Sequence, residues 1–218
     1  LFVALCGVHR DGHDYAQEAV ARGASAVLAE RSLPISLPTC LVPDTRVAYG
    51  SLCQALAGDP CRDLRLVGIT GTNGKTTVTM MIDTILREAG MQSVTVGNIG
   101  LPWSRAILEN PEPGPDLHWI LEVSSFQLET IHCFHPHVSI LLNITPDHLD
   151  RHGTIEHYAD LKGRITENQD ENDVLIINQD DSRCLKIARD TRARVLNYST
   201  IRPVDEGCYL EGDLVMFQ

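Results

Sequence analysis

The sequence lacks the features that mark several large classes of protein. It contains no run of 18 apolar residues and no signal-peptide pattern, so we expect neither a membrane span nor secretion. It also has no internal repeat and no low-complexity stretch. Hydrophobic residues make up 43% of the chain and aromatic residues only 5%, a composition that suits an ordinary α/β protein.

A disulfide framework and a zinc-finger pattern are also missing. Seven cysteines are present, but no two form a C-x-x-C pair and none is spaced from a histidine as in a zinc finger. An odd number of cysteines without such a framework indicates free thiols in a reducing compartment. We therefore expect a cytoplasmic protein with partly buried cysteines.

Positive charge is scarce along the chain. Lys and Arg number 18 against 29 Asp and Glu, which gives a net charge of −11 and argues against binding to nucleic acid. An acidic protein that binds phosphates needs local help from a lysine, from backbone N–H groups and from metal ions. A chain of 218 residues has room for one large domain, or one domain and a smaller piece.

Short apolar runs alternate with helix-like patterns along the chain, and a further strand is expected just before Gly97. The other predicted strands are Leu1–Leu5, Ser25–Glu30, Thr39–Pro43, Leu64–Thr70, His118–Val123, His137–Asn143, Asp173–Asn178 and Ala193–Tyr198. The predicted helices are Asp14–Gly23, Asp44–Gly58, Lys75–Glu88, Pro102–Glu109, Thr154–Asn168 and Asp181–Asp190.

This alternation predicts an α/β fold: a P-loop ATPase domain with a mostly parallel sheet and helices on both faces, preceded by a small partial α/β domain. The polar segment Asp59–Arg65 contains Pro60 and is the expected linker, which gives domains at 1–60 and 61–218. The chain begins at Leu1 inside a predicted strand and ends in the strand-like "YLEGDLVMFQ". We therefore expect a fragment of a longer protein.

The stretch Gly71–Thr77 (GTNGKTT) has the parts of a phosphate-binding loop, although the first glycine of the standard G-x-x-x-x-G-K-[ST] pattern would fall on Ile69. Its two glycines permit tight turns. Successive N–H groups and the start of the following helix attract an anion. Lys75 can reach β- and γ-phosphates, and Thr76 can bind Mg²⁺. An ordinary strand–turn–helix connection is the alternative.

Polar residues follow the next strands as well. In Gly97–Pro102 two glycines flank an asparagine, which suits either a ligand-binding loop or a plain turn. Glu122 ends an apolar strand, where a carboxylate can bind Mg²⁺ or pair with a local base. Ser124 and Gln127 come directly afterwards and can hydrogen-bond a substrate.

Two further residues are candidates with strong alternatives. His148 lies in a cluster of charged residues and histidines after a buried strand, where it could bind a metal or serve as a structural histidine. Lys162 lies on a predicted helix, and its position alone predicts a solvent-exposed lysine.

Five motifs occur in one order and spacing: GTNGKTT, GNIGLP, LEVSSFQLE, NITPDHLDRHGT and YADLKGRI. Together they resemble the central ATPase domain of the Mur ligases, which build the peptidoglycan stem peptide. The resemblance covers about residues 64–198 and includes the short P-loop. SSFQLE and DHLDRHG resemble the D-glutamate-adding branch (MurD-type). Residues 1–60 resemble the amino-terminal domain of the branch that adds the third residue (MurE-type), so the two halves disagree about the precursor.

The resemblance implies an ATP-dependent amide-bond ligase. ATP phosphorylates the carboxylate of a UDP-MurNAc-linked acceptor, and the amine of an incoming amino acid attacks the acyl phosphate. The implied ATP-binding residues are Gly71, Thr72, Asn73, Gly74, Lys75, Thr76 and Thr77. The implied acceptor-binding residues are Asn98, Ser124, Gln127 and His148. Catalytic roles fall to Lys75, His148 and Lys162.

The same resemblance implies two Mg²⁺ sites. Thr76 and Glu122 would hold one ion, and His148 with a carbamylated Lys162 would help to hold the second, because carbamylation turns an amine into an oxygen ligand. Gly163 departs from the bulkier residue that is usual in the family and is expected to loosen the helix by up to about 1 kcal/mol.

Several expectations remain open at this point. D-Glutamate addition to UDP-MurNAc-L-alanine is favoured, and addition of diaminopimelate or L-lysine to UDP-MurNAc-L-Ala-D-Glu is the alternative. Folylpolyglutamate and cyanophycin synthetases share the P-loop, but SSFQLE disfavours them. A non-catalytic nucleotide-binding module is a third possibility. We expect a monomer without the family's amino-acid-binding third domain, and therefore little activity from these residues alone.

Overall fold

The computed structural model describes residues 1–7, 10–56, 64–109 and 114–218. The chain divides into two compact units, Leu1–Pro60 and Cys61–Gln218, and each is described by itself. Most of the expected linker, residues 59–63, lies outside the described residues, as does the end of the second predicted helix, residues 57–58. None of the helices within the described ranges combines the length and apolar character that a bilayer crossing requires.

The first unit is built on a three-stranded parallel sheet in the order β1-β2-β3. Its elements are β1 (Phe2–Val3), a 3₁₀ turn (Gly12–Tyr15), α1 (Ala16–Ala21), β2 (Val27–Ala29), β3 (Thr39–Leu41) and α2 (Thr45–Leu56). The predicted helix Asp14–Gly23 thus begins as a 3₁₀ turn. The His13 ring in this turn is held on two sides: its Nδ1 lies 2.5 Å from Asp11 Oδ1, and its Nε2 accepts from Glu30 N at 2.9 Å.

The second unit contains an eight-stranded sheet. Its strands are β4 (Arg65–Thr70), β5 (Ser93–Gly97), β6 (His118–Glu122), β7 (Val138–Leu141), β8 (Val174–Asn178), β9 (Arg194–Ser199), β10 (Gly207–Glu211) and β11 (Leu214–Phe217). They are ordered β11-β10-β9-β8-β7-β4-β6-β5, and all neighbours run parallel except β10 and β11. The predicted α/β class with a mostly parallel sheet is confirmed.

Helices cover both faces of this sheet. They are α3 (Lys75–Glu88), α4 (Trp103–Glu109), α5 (Ser125–Leu128), α6 (Leu149–His152), α7 (Ile155–Gly163) and α8 (Ser182–Asp190), with a 3₁₀ turn at Arg164–Thr166. Alternate β4 residues point to opposite faces. Leu66 packs in a cluster with Ala106 of α4, whereas Ile69 packs in a second cluster with Ile82 of α3.

The chain end differs from the single strand that "YLEGDLVMFQ" suggests. β10 and β11 form an antiparallel hairpin, with Glu211 paired to Leu214. Gly212 has φ +60°, a left-handed conformation that glycine adopts readily and that reverses the chain.

Gly163 also has a packing role that its helix propensity does not reveal. A Cβ at this position would lie 3.2 Å from Ile187 Cγ1 on α8, so the missing side chain lets α7 approach α8 closely. The predicted helix Thr154–Asn168 ends here, and Asn168 instead donates to the carbonyls of His132 and Phe134, each at 3.0 Å.

Gly97 fixes the end of β5 against the end of β6. Its φ is +115°, and a Cβ would lie 2.3 Å from the Glu122 carbonyl oxygen. We expect Gly97→Ala to lower the free energy of unfolding by about 2–4 kcal/mol, because strain at positive φ adds to overpacking. Gly100 is the matched control, since its φ is +71° but a Cβ would meet nothing within 4 Å. Gly100→Ala should cost only about 1 kcal/mol in urea unfolding. Equal losses of unfolding free energy in the two variants would show that the close approach of position 97 to the Glu122 carbonyl is unimportant.

Candidate nucleotide-binding site

The P-loop joins β4 to α3 at the edge of the sheet where the parallel strands end. Gly71 has φ +150°, and a Cβ there would lie 2.9 Å from Leu142 Cβ, so only glycine fits between the two strand ends. Gly74 has φ +83° and directly precedes α3. The first N–H groups of α3 have no partner within the helix and lie at the positive end of its dipole. The loop therefore has the form of an anion-binding site.

Lys75 folds back over this loop. Its Nζ donates to the carbonyl oxygens of Gly71 at 3.0 Å and Thr72 at 2.9 Å. The ammonium group thus lies beside the start of α3, where a phosphate would also be attracted. The predicted contact of Lys75 with β- and γ-phosphates stays a prediction.

The structure brings Thr76 and Glu122 into direct contact. The Thr76 hydroxyl donates to Glu122 Oε2 at 2.7 Å. The Glu122 side chain is buried, with 3% of its surface exposed, and its Oε1 accepts from Asn98 Nδ2 at 3.1 Å. A buried carboxylate and a hydroxyl at this separation form a pair of hard oxygen donors, the type that Mg²⁺ prefers.

Ser124 and Gln127 interact mainly with one another. The Ser124 N–H and hydroxyl both donate to Gln127 Oε1 at 2.9 Å, and the Gln127 N–H donates to Ser124 Oγ, which makes a capping box at the start of α5. Gln127 is exposed and Ser124 half-buried. The pair holds the loop after Glu122 in shape, and its predicted contact with a substrate stays a prediction.

Lys162 is buried rather than solvent-exposed, so the expectation from its position alone is wrong. Only 1% of its surface is exposed, and its Nζ donates to the Gly71 carbonyl at 2.8 Å. The amine also lies 4.6 Å from the centre of the Tyr158 ring. Burial, together with the nearby charge of Lys75, lowers the pKa of Lys162 to about 7. Much of this amine is therefore neutral near pH 7.

His148 has no direct hydrogen bond to Thr76, Glu122 or Lys162 within the described part of the chain. Its backbone is left-handed, with φ +51°, and its side chain is 50% exposed. Nε2 lies 3.5 Å from Asp147 Oδ2, and the ring lies 5.1 Å from that of Phe126. The structure thus places His148 in the loop after β7, and among the described residues it makes no hydrogen bond to Lys75 or Lys162.

Two residues that the sequence motifs did not single out have central positions. Asn143 accepts from the N–H groups of Thr72 and Asn73 through Oδ1. His152 is buried, and this burial lowers its pKa. Its Nε2 lies 3.1 Å from Ser125 Oγ. Both follow a buried strand in NITPDHLDRHGT, but only the three-dimensional structure shows their partners.

A separate cluster of possible metal ligands lies near the starts of β7 and β8, at the opposite edge of the sheet. His135 Nε2 is 2.6 Å from Asp173 Oδ2, and the Asp170 N–H donates to the same oxygen at 2.8 Å. Because the buried Asp173 carboxylate already accepts these hydrogen bonds, the contacts are explained as hydrogen bonds that join two loops, without a metal ion.

Comparison with known proteins shows which family the chain resembles. The family profile for the Mur ligase middle domain matches residues 69–207. The UDP-N-acetylmuramoylalanine–D-glutamate ligase of Solibacter usitatus is 40% identical over 217 residues, 98% of this chain and 48% of that protein. The UDP-N-acetylmuramoyl-L-alanyl-D-glutamate–2,6-diaminopimelate ligase of Halalkalibacterium halodurans is 34% identical over 226 residues, 94% of this chain and 46% of that protein.

A solved structure shows the same likeness. The MurF ligase from Thermotoga maritima, crystallised with ADP, superimposes with a TM-score of 0.65 at 26% identity, covering 99% of this chain and 53% of that one. The chain spans about half the length of the two curated relatives. The profile match across the P-loop unit, together with a relative aligned along nearly the whole chain, shows that the protein belongs to the Mur ligase family.

Proposed function

We propose that the protein acts in ATP-dependent amide-bond formation on a peptidoglycan precursor, and that these 218 residues bind the nucleotide and the acceptor. The observation that carries the proposal is the contact between the Thr76 hydroxyl and the buried Glu122 carboxylate, beside Lys75 and the start of α3. A plain strand–turn–helix connection does not need a buried carboxylate at this point.

The residues present fit a bound Mg²⁺. Thr76 and Glu122 supply oxygen donors 2.7 Å apart, and Asn98 holds the second carboxylate oxygen. ATP, when bound with Mg²⁺, supplies the phosphoryl group that activates the acceptor carboxylate as an acyl phosphate. Lys75 stabilises the charge on the transferred group, and the N–H groups at the start of α3 orient it.

Lys162 suits carbamylation, which we propose as the origin of a second metal ligand. A neutral amine can attack CO₂: a bond forms between nitrogen and carbon, one N–H proton leaves to water, and a carbamate remains. A pKa of about 7 supplies the neutral amine near neutral pH. His148 would complete this second site after a rotation of its exposed side chain away from Asp147.

We propose D-glutamate as the amino acid that is added. A relative named as a D-glutamate ligase aligns along 98% of the chain at 40% identity, including the part that resembles the MurE-type domain. The diaminopimelate ligase aligns along 94% at 34% identity, and its activity is the second candidate. In either case Asn98, Ser124, Gln127 and His148 would contact the acceptor, and the amino acid would bind to residues beyond these 218.

The acceptor is tested by calorimetric titration of the chain, in Mg²⁺ and ADP, with two precursors. We expect UDP-MurNAc-L-alanine to bind about 10-fold tighter than UDP-MurNAc-L-Ala-D-Glu, a difference of about 1.4 kcal/mol. Tighter binding of the longer precursor would favour the diaminopimelate-type alternative. Binding of ADP with neither precursor would favour a non-catalytic nucleotide-binding module. With ATP in place of ADP, phosphate release on addition of D-glutamate should stay low, and rapid ligation by residues 1–218 would contradict the need for a further domain.

The titration of Lys162 is tested by NMR. The sequence has three lysines, Lys75, Lys162 and Lys186, so side-chain ¹³C labelling gives a simple spectrum. In CO₂-free buffer we expect one resonance with a midpoint near pH 7 that is absent from Lys162→Met. Adding ¹³C-bicarbonate at pH 8 should give a carbamate signal that Lys162→Met also lacks. A Lys162 midpoint near 10 would contradict the effect of burial.

The same shift predicts how stability depends on pH. Between about pH 7 and the ordinary lysine pKa of 10.5, the unfolded chain binds more protons at Lys162 than the folded chain does. The free energy of unfolding should therefore gain a contribution as pH rises through this window. Lys162→Met should remove that contribution, as measured by urea unfolding at several pH values.

A further inference from the structure

Asn143 lies in the loop after β7 and hydrogen-bonds the P-loop with both ends of its side-chain amide. Its Oδ1 accepts from the N–H groups of Thr72 at 3.1 Å and Asn73 at 2.9 Å. Its Nδ2 donates to the Asn73 carbonyl at 3.0 Å. The side chain therefore pairs with the backbone of one residue, Asn73, as an acceptor and as a donor.

The sheet register explains this placement. β4 and β7 are parallel neighbours, with Thr70 opposite Leu141. Continuing the register by two residues places Thr72 opposite Asn143, and the Thr72 N–H indeed reaches the Asn143 backbone oxygen at 2.9 Å. Gly71 allows the ends of β4 and β7 to approach closely here, because a Cβ at this position would lie 3.3 Å from Asn143 N.

These contacts divide the N–H groups of the loop into two sets. The N–H groups of Thr72 and Asn73 are occupied by Asn143 and are not available to an anion. The N–H groups at the start of α3 have no partner within the helix. A phosphate would therefore be bound by the second set and by Lys75.

The division also accounts for the short loop. The standard pattern has four residues between its glycines, whereas only Thr72 and Asn73 separate Gly71 from Gly74. A shorter loop has fewer peptide groups with which to hold its own shape. An amide from the neighbouring strand end supplies the missing hydrogen bonds.

We propose that Asn143 is a positioning residue, which holds the backbone of Thr72 and Asn73 so that the start of α3 and Lys75 face the nucleotide phosphates. The inference rests on the proposed nucleotide-binding function. It assigns Asn143 no contact with substrate. Its effect on nucleotide affinity is exerted through the conformation of the P-loop.

The test combines amide exchange with nucleotide binding in three variants of the chain. The Asn73 amide is diagnostic, because Thr72 also has the Asn143 backbone oxygen, which no substitution removes. Asn143→Ala deletes the whole side-chain interaction, whereas Asn143→Asp keeps an acceptor for Asn73. Asn178→Ala is the matched control: Asn178 Nδ2 donates to the Leu142 carbonyl at 3.2 Å in the same segment, and Oδ1 accepts from Asp180 N.

In the absence of nucleotide we expect the Asn73 amide of Asn143→Ala to exchange about 10-fold faster than in the unsubstituted chain, the effect of losing one hydrogen bond. Exchange in Asn143→Asp and Asn178→Ala should change by less than about 3-fold. The Kd for Mg²⁺–ADP should rise about 10-fold in Asn143→Ala and less than about 2-fold in Asn178→Ala. Melting temperatures of the three variants show whether a change reflects only a general loss of stability. Such a loss would also appear in Asn178→Ala.

Unchanged Asn73 exchange in Asn143→Ala would overturn the inference. Should that variant not fold, Asn73 exchange in Asn143→Asp that is more than about 3-fold faster than in the unsubstituted chain, without a matching change in Asn178→Ala, would overturn it too, since the carboxylate retains the acceptor. Faster exchange in Asn143→Ala with unchanged ADP affinity would overturn the positioning role and leave the proposed function intact. If the unsubstituted chain does not bind Mg²⁺–ADP, the positioning role and the proposed function both fail. The titration of the unsubstituted chain alone identifies that result.

Discussion

In the larger unit, β4 hydrogen-bonds to β6 on one side and to β7 on the other, and all three strands run in the same direction. The segments that follow them must therefore meet at one edge of the sheet. The P-loop follows β4, Glu122 ends β6, and Asn143 follows β7. The contacts of the candidate site result from this one arrangement, including the Thr76–Glu122 pair and the two-way pairing of Asn143 with the loop.

The same arrangement brings two amines to one acceptor. Lys75 and Lys162 both donate to the Gly71 carbonyl, at 3.0 and 2.8 Å. Burial disfavours the charged form of Lys162, and the nearby charge of Lys75 disfavours it further. We therefore propose different roles for the two lysines: Lys75 lies beside the start of α3, where it can contact a phosphate, whereas Lys162 is a buried amine whose pKa is lowered to about 7.

Sequence patterns predicted much of the fold, and the reasons differ from element to element. The bounds of α3, Lys75–Glu88, follow from the glycine that precedes the helix and from the regular apolar face of the helix itself. The capping box of α5 was readable in principle from the S-x-x-Q spacing at Ser124–Gln127. The position of Lys162 was not, because only the family resemblance indicated that α7 turns this lysine inward. Asn143 could not be identified without the β4–β7 register, which single-sequence patterns do not contain.

We propose that the start of α3, Lys75 and the Thr76–Glu122 pair form one site for a magnesium nucleotide. A crystal structure of the chain with Mg²⁺ and ADP tests it most directly. We predict β-phosphate oxygens within hydrogen-bond distance of the first N–H groups of α3, with Lys75 Nζ moved from the Gly71 and Thr72 carbonyls onto phosphate. Nucleotide bound elsewhere, or Lys75 still on those carbonyls beside an occupied loop, would contradict the account.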